Sequence, residues 1–502
     1  MKRRIDMLQN PYKLGTAELH NAIVQGMKKQ FGWDDTTADN NTKKLENKYF
    51  SVLIPNLAVV VEYPYVDKVY RNSYYRYYSG KAKQLSRDCI RLSFFIDTDP
   101  SIVGNPMIHE IWEQQYRGFL ILRPTELNVV GRNAISPDIY IENNFLICKT
   151  EIPASVNGLK VSVEAFPASS QDTETMVCAE TAVWATMEYF GNRYAEYSPV
   201  RPSHIIKLLR NQISFRQLPS SGLTSEQICY LFKNMNFQPI LRPVEDNACD
   251  YGMISSFIES GIPVVLSITN YVDDTYPAAD RIGHAILCIG HERVTEQAVN
   301  EVQSITDNGL VFVDYDNIKK KFVYIDDNCP AYRMDYLQTP ADGYSKQKWK
   351  DCRIRFASYP LYEKILLMPY SVKYMATNFL HYIKGINDGR EIAYRTFLAS
   401  SRSYKDYVCR NNMPEKMKEM ILNLYLPKFI WVVELSSREG ILANYSDGLL
   451  IFDSTEPKLT NLTPLELMYY NGQAVYKDDT RSLRYAINLP IERFNSYQKN
   501  LR

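Results

Sequence analysis

The chain has 502 residues, 45% of them apolar and 23% charged, with a formal net charge of +1. That length allows about two to four domains around a sizeable core, and the composition is ordinary for a soluble globular protein. Near-neutral charge excludes a global pull toward nucleic acid or anionic membrane, and no apolar run approaches the roughly 20 residues of a membrane span. The opening MKRRIDMLQNPYKLG is basic but lacks the apolar core of a signal peptide, so a cytoplasmic chain is expected. Nine cysteines scattered without a CxxC pair fit neither a secreted disulfide framework nor a zinc ribbon.

Residues 1 to about 45 read as helical and polar, with DDTTADNN (34–41) as a loop. From Leu57, LAVVVEYPYVD reads as a strand, followed by the one basic-aromatic patch, YRNSYYRYYSGKAK (70–83). Aromatics between cations can stack on bases or sugars; with a neutral net charge, the preferred reading is a solvated edge or the surface of a mixed sheet. RLSFFID (91–97), a helix around 106–115 and YRGFLILRPT (116–125) then suggest an α+β or α/β unit. His109, on that helix, reads as a packing or surface histidine. NFLICKTEIPASV, Asn157-Gly158 and LKVSVEAFP together mark a hairpin with a type I′ turn, since both turn residues tolerate positive φ. This hairpin is expected to be the ledge that fixes the loop after Pro167.

The loop leads into SSQDTETMVCAETAVWATMEYFG (169–191). Cys178 stands at the mouth of an amphipathic helix, with Val183, Met187 and Phe190 at helical spacing and Gly191 where a stop belongs. A cysteine in the first turn of a helix feels the positive end of the backbone dipole, which favours thiolate. Gln171, just upstream, can lend an amide donor to a developing oxyanion. Cys178 is therefore the candidate nucleophile.

Helices are predicted at 198–210 and at 223–237, the second capped by Thr224 or Ser225. GMISSFIESGIPVVLSITNY predicts a short helix, a turn and a central strand at 263–269. The polar loop DDTYPAAD leads to RIGHAILCIGHERV, a strand beginning at His284. LVFVDY (310–315) and KKFVYIDDN (320–328) are expected to pair across a turn from Asp316 to Lys319. Helices around 370–385 and 412–425 precede LPKFIWVVEL and GILANYSDGLLIFDST, the latter with Asp447-Gly448 as a hairpin turn. No fixed-period repeat or low-complexity linker divides the chain.

A cysteine nucleophile needs a base, a group that orients the base, and donors for the oxyanion. Of six histidines, His284 stands apart because it opens an apolar strand directly after a polar loop, where a cleft belongs. His291, seven residues later, falls on the opposite face in regular β geometry. The acceptor for His284 is sought in Asp326 or Asp327 at the end of FVYIDDN, and strand alternation alone leaves both open. No histidine–carboxylate cluster has the sequence spacing of a metal site, and no glycine-rich loop cradles a phosphate. No metal and no cofactor are expected.

The order Gln171, Cys178, His284, then aspartate resembles the papain-like cysteine peptidase superfamily, and within it the bacterial branch that includes leader peptidases of bacteriocin exporters. The resemblance is carried by SSQDTETMVCAETAVWATMEYFG, LTSEQICYLFKNMNF, FIESGIPVVLSI, GHAILCIGH and FVYIDDN, and covers roughly residues 160–340, about a third of the chain. It implies an α+β fold whose central papain-like domain packs the nucleophile helix on an antiparallel sheet. It also implies a triad of Cys178, His284 and Asp326 or Asp327, with Gln171 and the Cys178 backbone N–H forming the oxyanion hole. The expected organisation is an N-terminal region at 1–155, the papain-like hydrolase domain at 156–340 and a C-terminal region at 341–502, both flanks being α/β in character.

The functional expectation is a cytoplasmic thiol hydrolase, a peptidase working through an acyl-enzyme on a peptide or protein substrate. One alternative is a deamidase, transglutaminase or acyltransferase with the same triad, because the acyl-enzyme can be resolved by water or by an amine. The other is a non-catalytic interaction protein on this scaffold. The flanking regions leave room for substrate recruitment or a regulatory protein partner; no nucleic acid or membrane partner is expected.

Overall fold

A computed structural model describes residues 11–96, 109–214, 216–271, 276–381, 383, 389–456 and 464–501. Helices and antiparallel sheets are mixed along the chain in an α+β fold. The first sheet runs Tyr12–Lys13, Leu57–Tyr65, Cys89–Ile96, Tyr116–Leu122, Val130–Ile135 and Ala168–Ser169 in spatial order. The second, central sheet runs Ile240–Pro243, Arg353–Tyr359, Val264–Thr269, Gly283–Glu292, Phe322–Ile325 and Arg333–Asp335. Phe145–Ile147 pairs with the far end of the Gly283–Glu292 strand. The third sheet runs from Ile305–Asp307 and Leu310–Asp314 through Glu391–Ser400, Phe429–Ser436 and Gly448–Asp453 to Leu465–Tyr470, Gln473–Lys477 and Leu483–Ala486.

One contiguous buried cluster joins Leu19, Val183, Ile286 and Trp431, so the three sheets share a core. Strands also cross the limits expected at 155 and 340. Phe145–Ile147 and Arg353–Tyr359 enter the central sheet, Ala168–Ser169 returns to the first, and Leu310–Asp314 joins the third. The helix Cys178–Arg193 is buried continuously from Ala179 to Phe190 and packs on the Gly283–Glu292 strand. A helix buried all round is a core element, not one lying amphipathically on a surface.

The Thr150–Val156 and Leu159–Ala165 strands form the expected hairpin, with Asn157 at φ 49° and Gly158 at φ 86°. Its role differs from the ledge expected. Among the described residues the hairpin pairs only with itself, and the loop after it is held instead by Ala168–Ser169, which pairs with Asn133 and Arg132 of the first sheet.

Several other expectations are corrected. The stretch 34–41 is not a loop: Asp34 accepts from the Thr37 N–H and caps a helix, Asp35–Leu45, whose buried face is Ala38, Asn41, Thr42 and Leu45. Gly191 does not end the Cys178 helix, which runs to Arg193. A glycine is needed there because a Cβ would stand 2.4 Å from the Pro199 nitrogen. The segments 310–315 and 320–328 do not pair with each other. Leu310–Asp314 runs parallel to Glu391–Ser400, whereas Phe322–Ile325 pairs with the Gly283–Glu292 strand. Asp447-Gly448 is no hairpin turn, since Tyr445–Ser446 pairs with Phe494–Asn495 and Gly448–Asp453 with neighbours of the third sheet.

The basic-aromatic patch is a helix, Lys68–Arg76, and the short turn Tyr78–Gly80, not a sheet surface. Its cations are partly spent on neighbours: Arg71 pairs with Asp88 and Lys81 with Glu174. Residues 1–10, 106–108 and 273–275 of the expected elements lie outside the described residues, as does the side chain of His109. Among the described residues no helix is long and apolar enough to cross a membrane.

Candidate active site

The chain reaches Cys178 through a loop tied at both ends. Arg123 donates to the carbonyls of Ser170 (2.9 Å) and Gln171 (2.5 Å). The buried Asp172 carboxylate then accepts the backbone N–H groups of Glu174, Thr175 and Met176 at 2.6–3.0 Å, while its own N–H donates to the Met176 carbonyl. The helix starts immediately afterwards, with Val177 as an N-cap that makes no side-chain capping bond. The first N–H groups of a helix have no acceptor within it. Cys178 is the first helical residue, so its N–H is one of these and its thiol sits at the positive end of the dipole. Cys178 is only partly buried, unlike Cys89, Cys148, Cys288 and Cys352.

His284 is delivered by the central sheet. Its strand pairs on one side with Val264–Thr269, placing His284 opposite Ile268. On the other side it pairs with Phe322–Ile325, placing Leu287 opposite Ile325. Extending that register by one residue sets Asp326 opposite Ile286, on the same face as His284, since side chains alternate faces with a period of two. The hydrogen bonds follow: Asp326 Oδ1 meets His284 Nε2 at 3.0 Å, whereas the nearest oxygen of Asp327 is 3.6 Å away. The register therefore selects Asp326 as the residue bonded to His284.

With Nε2 taken by Asp326, Nδ1 is the ring nitrogen left for the Cys178 thiol, whose interaction with the ring favours the ring's charged form. Trp349 lies edge-on to the imidazole with centroids 5.2 Å apart, and Tyr344 stacks on Trp349 at 4.6 Å. These rings hem in the imidazole and limit water around it. Burial alone would push His284 down, but the charge and hydrogen bond of Asp326, with a smaller contribution from Cys178, override this and raise it well above its ordinary value. Burial would likewise push Asp326 up. The His284 ring, the Arg333 guanidinium and the Tyr344 hydroxyl instead hold it below the usual carboxylate range.

Asp327 has a different environment. It is 4% exposed, and neither carboxylate oxygen has a hydrogen-bond partner among the described residues. Burial, partly opposed by the His284 ring, pushes it up to about 7. His284, Asp326 and Asp327 hold one ligand atom each within 4.8 Å of one another, a proximity that the sequence spacing did not reveal. The donors around Asp326 argue against a cation there. Oδ1 receives His284 and the Asn328 N–H (3.0 Å), and Oδ2 receives the Tyr344 hydroxyl (2.8 Å) with Arg333 3.3 Å away. Such a shell satisfies a carboxylate anion that faces a histidine.

Gln171 joins the same neighbourhood from the loop: its Nε2 donates to Asn328 Oδ1 at 2.8 Å. His291 is engaged elsewhere. Its Nε2 is 2.5 Å from Glu259 and its Nδ1 2.7 Å from the Glu292 carbonyl. The residues missed by sequence reasoning are Tyr344, Trp349, Arg333 and Arg123, which left no signal. Asn328 is visible as the end of FVYIDDN, but its contact with Gln171 is not. No protein-family model matches the chain, and no curated protein matches it by sequence.

Proposed function

We infer that the protein is a thiol hydrolase, most simply a cysteine peptidase, that works through Cys178, His284 and Asp326. The observation that carries this reading is a partly exposed thiol at the free end of a helix, interacting with an imidazole whose Nε2 is held by a buried carboxylate at 3.0 Å. His284 takes the thiol proton and Cys178 Sγ attacks a carbonyl carbon, giving a tetrahedral adduct. The Cys178 N–H and the Gln171 amide donate to its oxyanion. The imidazolium then passes its proton to the departing amine, leaving a thioester. His284 next deprotonates a water, which attacks the thioester; the acid leaves and the thiol regains its proton. Asp326 keeps the ring oriented and stabilises its positive form.

The test is alkylation by iodoacetamide at pH 6, read by peptide mapping. Cys249 and Cys409 are exposed and serve as ordinary thiols in the same chain. Cys178 is expected to react at least about tenfold faster than either, as a nucleophile with a positioned base beside it would. Fast labelling must vanish in Cys178→Ala. Equal rates at all three sites, or fast labelling at Cys89 or Cys288, would rule the assignment out.

A further inference from the structure

The segment Asp326–Asn328 touches both halves of the site. Asp326 Oδ1 accepts from His284 Nε2 at 3.0 Å and from the Asn328 backbone N–H, also at 3.0 Å. One carboxylate oxygen thus fixes the imidazole and the backbone of Asn328 together. The Asn328 side chain then reaches to the other side, where its Oδ1 accepts from Gln171 Nε2 at 2.8 Å. Gln171 approaches from a separate element, the loop whose carbonyls Arg123 holds at Ser170 and Gln171. We propose that Asn328 is a positioning residue for the oxyanion donor, so that one turn aims both the base and the Gln171 amide. This rests on the reading of Gln171 and Cys178 given under the proposed function.

A primary amide carries two N–H donors on one planar nitrogen. Committing one of them to Asn328 fixes the plane of the amide and therefore the direction of the other. Without that bond, the side chain of Gln171 regains its terminal rotation, which is broad for a glutamine, and the free donor samples directions away from the reacting carbon. Oxyanion donors act because they are preorganised. Losing Asn328 therefore costs acyl transfer while leaving the thiol, His284 and Asp326 in contact.

Two probes on the full-length chain separate these effects. Iodoacetamide alkylates Cys178 by displacement of iodide at carbon and forms no oxyanion, so it reads the thiol and imidazole alone. With p-nitrophenyl acetate, Sγ bonds to the acetyl carbon, p-nitrophenolate leaves, and the tetrahedral adduct places negative charge on the carbonyl oxygen. In Asn328→Ala the alkylation rate at Cys178 and its pH profile are expected to stay within about twofold, while acylation slows by about tenfold or more. Gln171→Ala is expected to slow acylation at least as much, and the double variant to be no slower than Gln171→Ala alone. Asn328→Ser, too short to reach Gln171, should behave as Asn328→Ala and covers the case in which alanine disturbs the turn.

Normal acylation in both Asn328 variants, with Gln171→Ala slowed, overturns the positioning role alone. So does a double variant slowed by the product of the two single effects. Normal acylation in Gln171→Ala overturns the role of Gln171 and with it this inference. Acylation that survives unchanged in Cys178→Ala overturns the proposed nucleophile and everything resting on it.

Discussion

His284 and His291 stand on one strand, both buried and both within hydrogen-bond reach of a carboxylate, yet their surroundings differ in kind. At His284 one ring nitrogen meets Asp326 and the other is left for a partly exposed thiol. At His291 both nitrogens face acceptors, Glu259 and the Glu292 carbonyl, so neither is free to take a proton from a nucleophile. The acid beside His291 belongs to a wider network, in which Arg395 pairs with Glu434 at 3.1 Å and lies 3.7 Å from Glu259. Burial would push Glu259 up, but the His291 ring and Arg395 bring it down to about 2. That end of the strand is a structural brace between the central and third sheets. A buried histidine–carboxylate pair thus does not by itself mark a reactive site; the third contact decides.

Replacing the two histidines in turn should give the largest contrast. His284→Ala is expected to slow alkylation of Cys178 near neutral pH by about 10²-fold or more, as loss of a positioned base does. His291→Ala should leave that rate within about twofold but lower the unfolding free energy by about 3–5 kcal/mol, because it strands a buried carboxylate. Denaturant midpoints together with alkylation rates check both. Equal kinetic losses in the two variants would erase the distinction.

The next effect concerns the carboxylates. Asp326→Asn is expected to slow acyl transfer by about 10²-fold, while Glu259→Gln leaves it nearly unchanged. Removing the Asp326 charge also lowers the His284 pKa, so the alkaline limb of the pH–rate profile should move to lower pH. The same pair sets a stability window. His284 is raised and Asp326 lowered, so their contribution is fully present between the ordinary aspartate and histidine values. It fades when acid protonates Asp326 below its usual range, or when base deprotonates His284 well above its own.

The smallest effect is expected at Asp327. Its proton leaves near 3.8 in the unfolded chain and at about 7 in the folded one, so raising the pH between these values favours unfolding. Asp327→Asn should therefore raise the melting temperature relative to the parent at pH 8. The gain should shrink toward pH 4, and acyl transfer should fall by no more than a few-fold. A pH-independent difference would mean that Asp327 is ionised in the fold, in spite of its burial.

Much of the site is legible in the sequence because its signals are local. The Asn157-Gly158 turn requires two positive φ values that those residues supply. The helix at Cys178 and the strand at His284 announce themselves by periodicity and by the loops that precede them. Where local signals mislead, tertiary packing has overridden them. Asp34 and the asparagines of 34–41 look like loop residues, but Asp34 serves as a cap and burial of Ala38 and Leu45 holds the helix. The strand Leu310–Asp314 ignores its near neighbour because a partner some 80 residues away, Glu391–Ser400, lies beside it in the third sheet.

Local sequence is enough to show that a cysteine opens a helix, that one histidine opens an apolar strand, and that two aspartates and an asparagine end another. These follow from side-chain period, turn chemistry and helix-end preferences, all of which act over a few residues. Only the tertiary structure decides that Asp326 and not Asp327 bonds to His284, that Asn328 meets Gln171, and that His291 is braced away from the thiol. The physical reason is register. A period of two assigns a residue to a face of its own strand but does not say which residue lies opposite, and that pairing is set by the sheet as a whole.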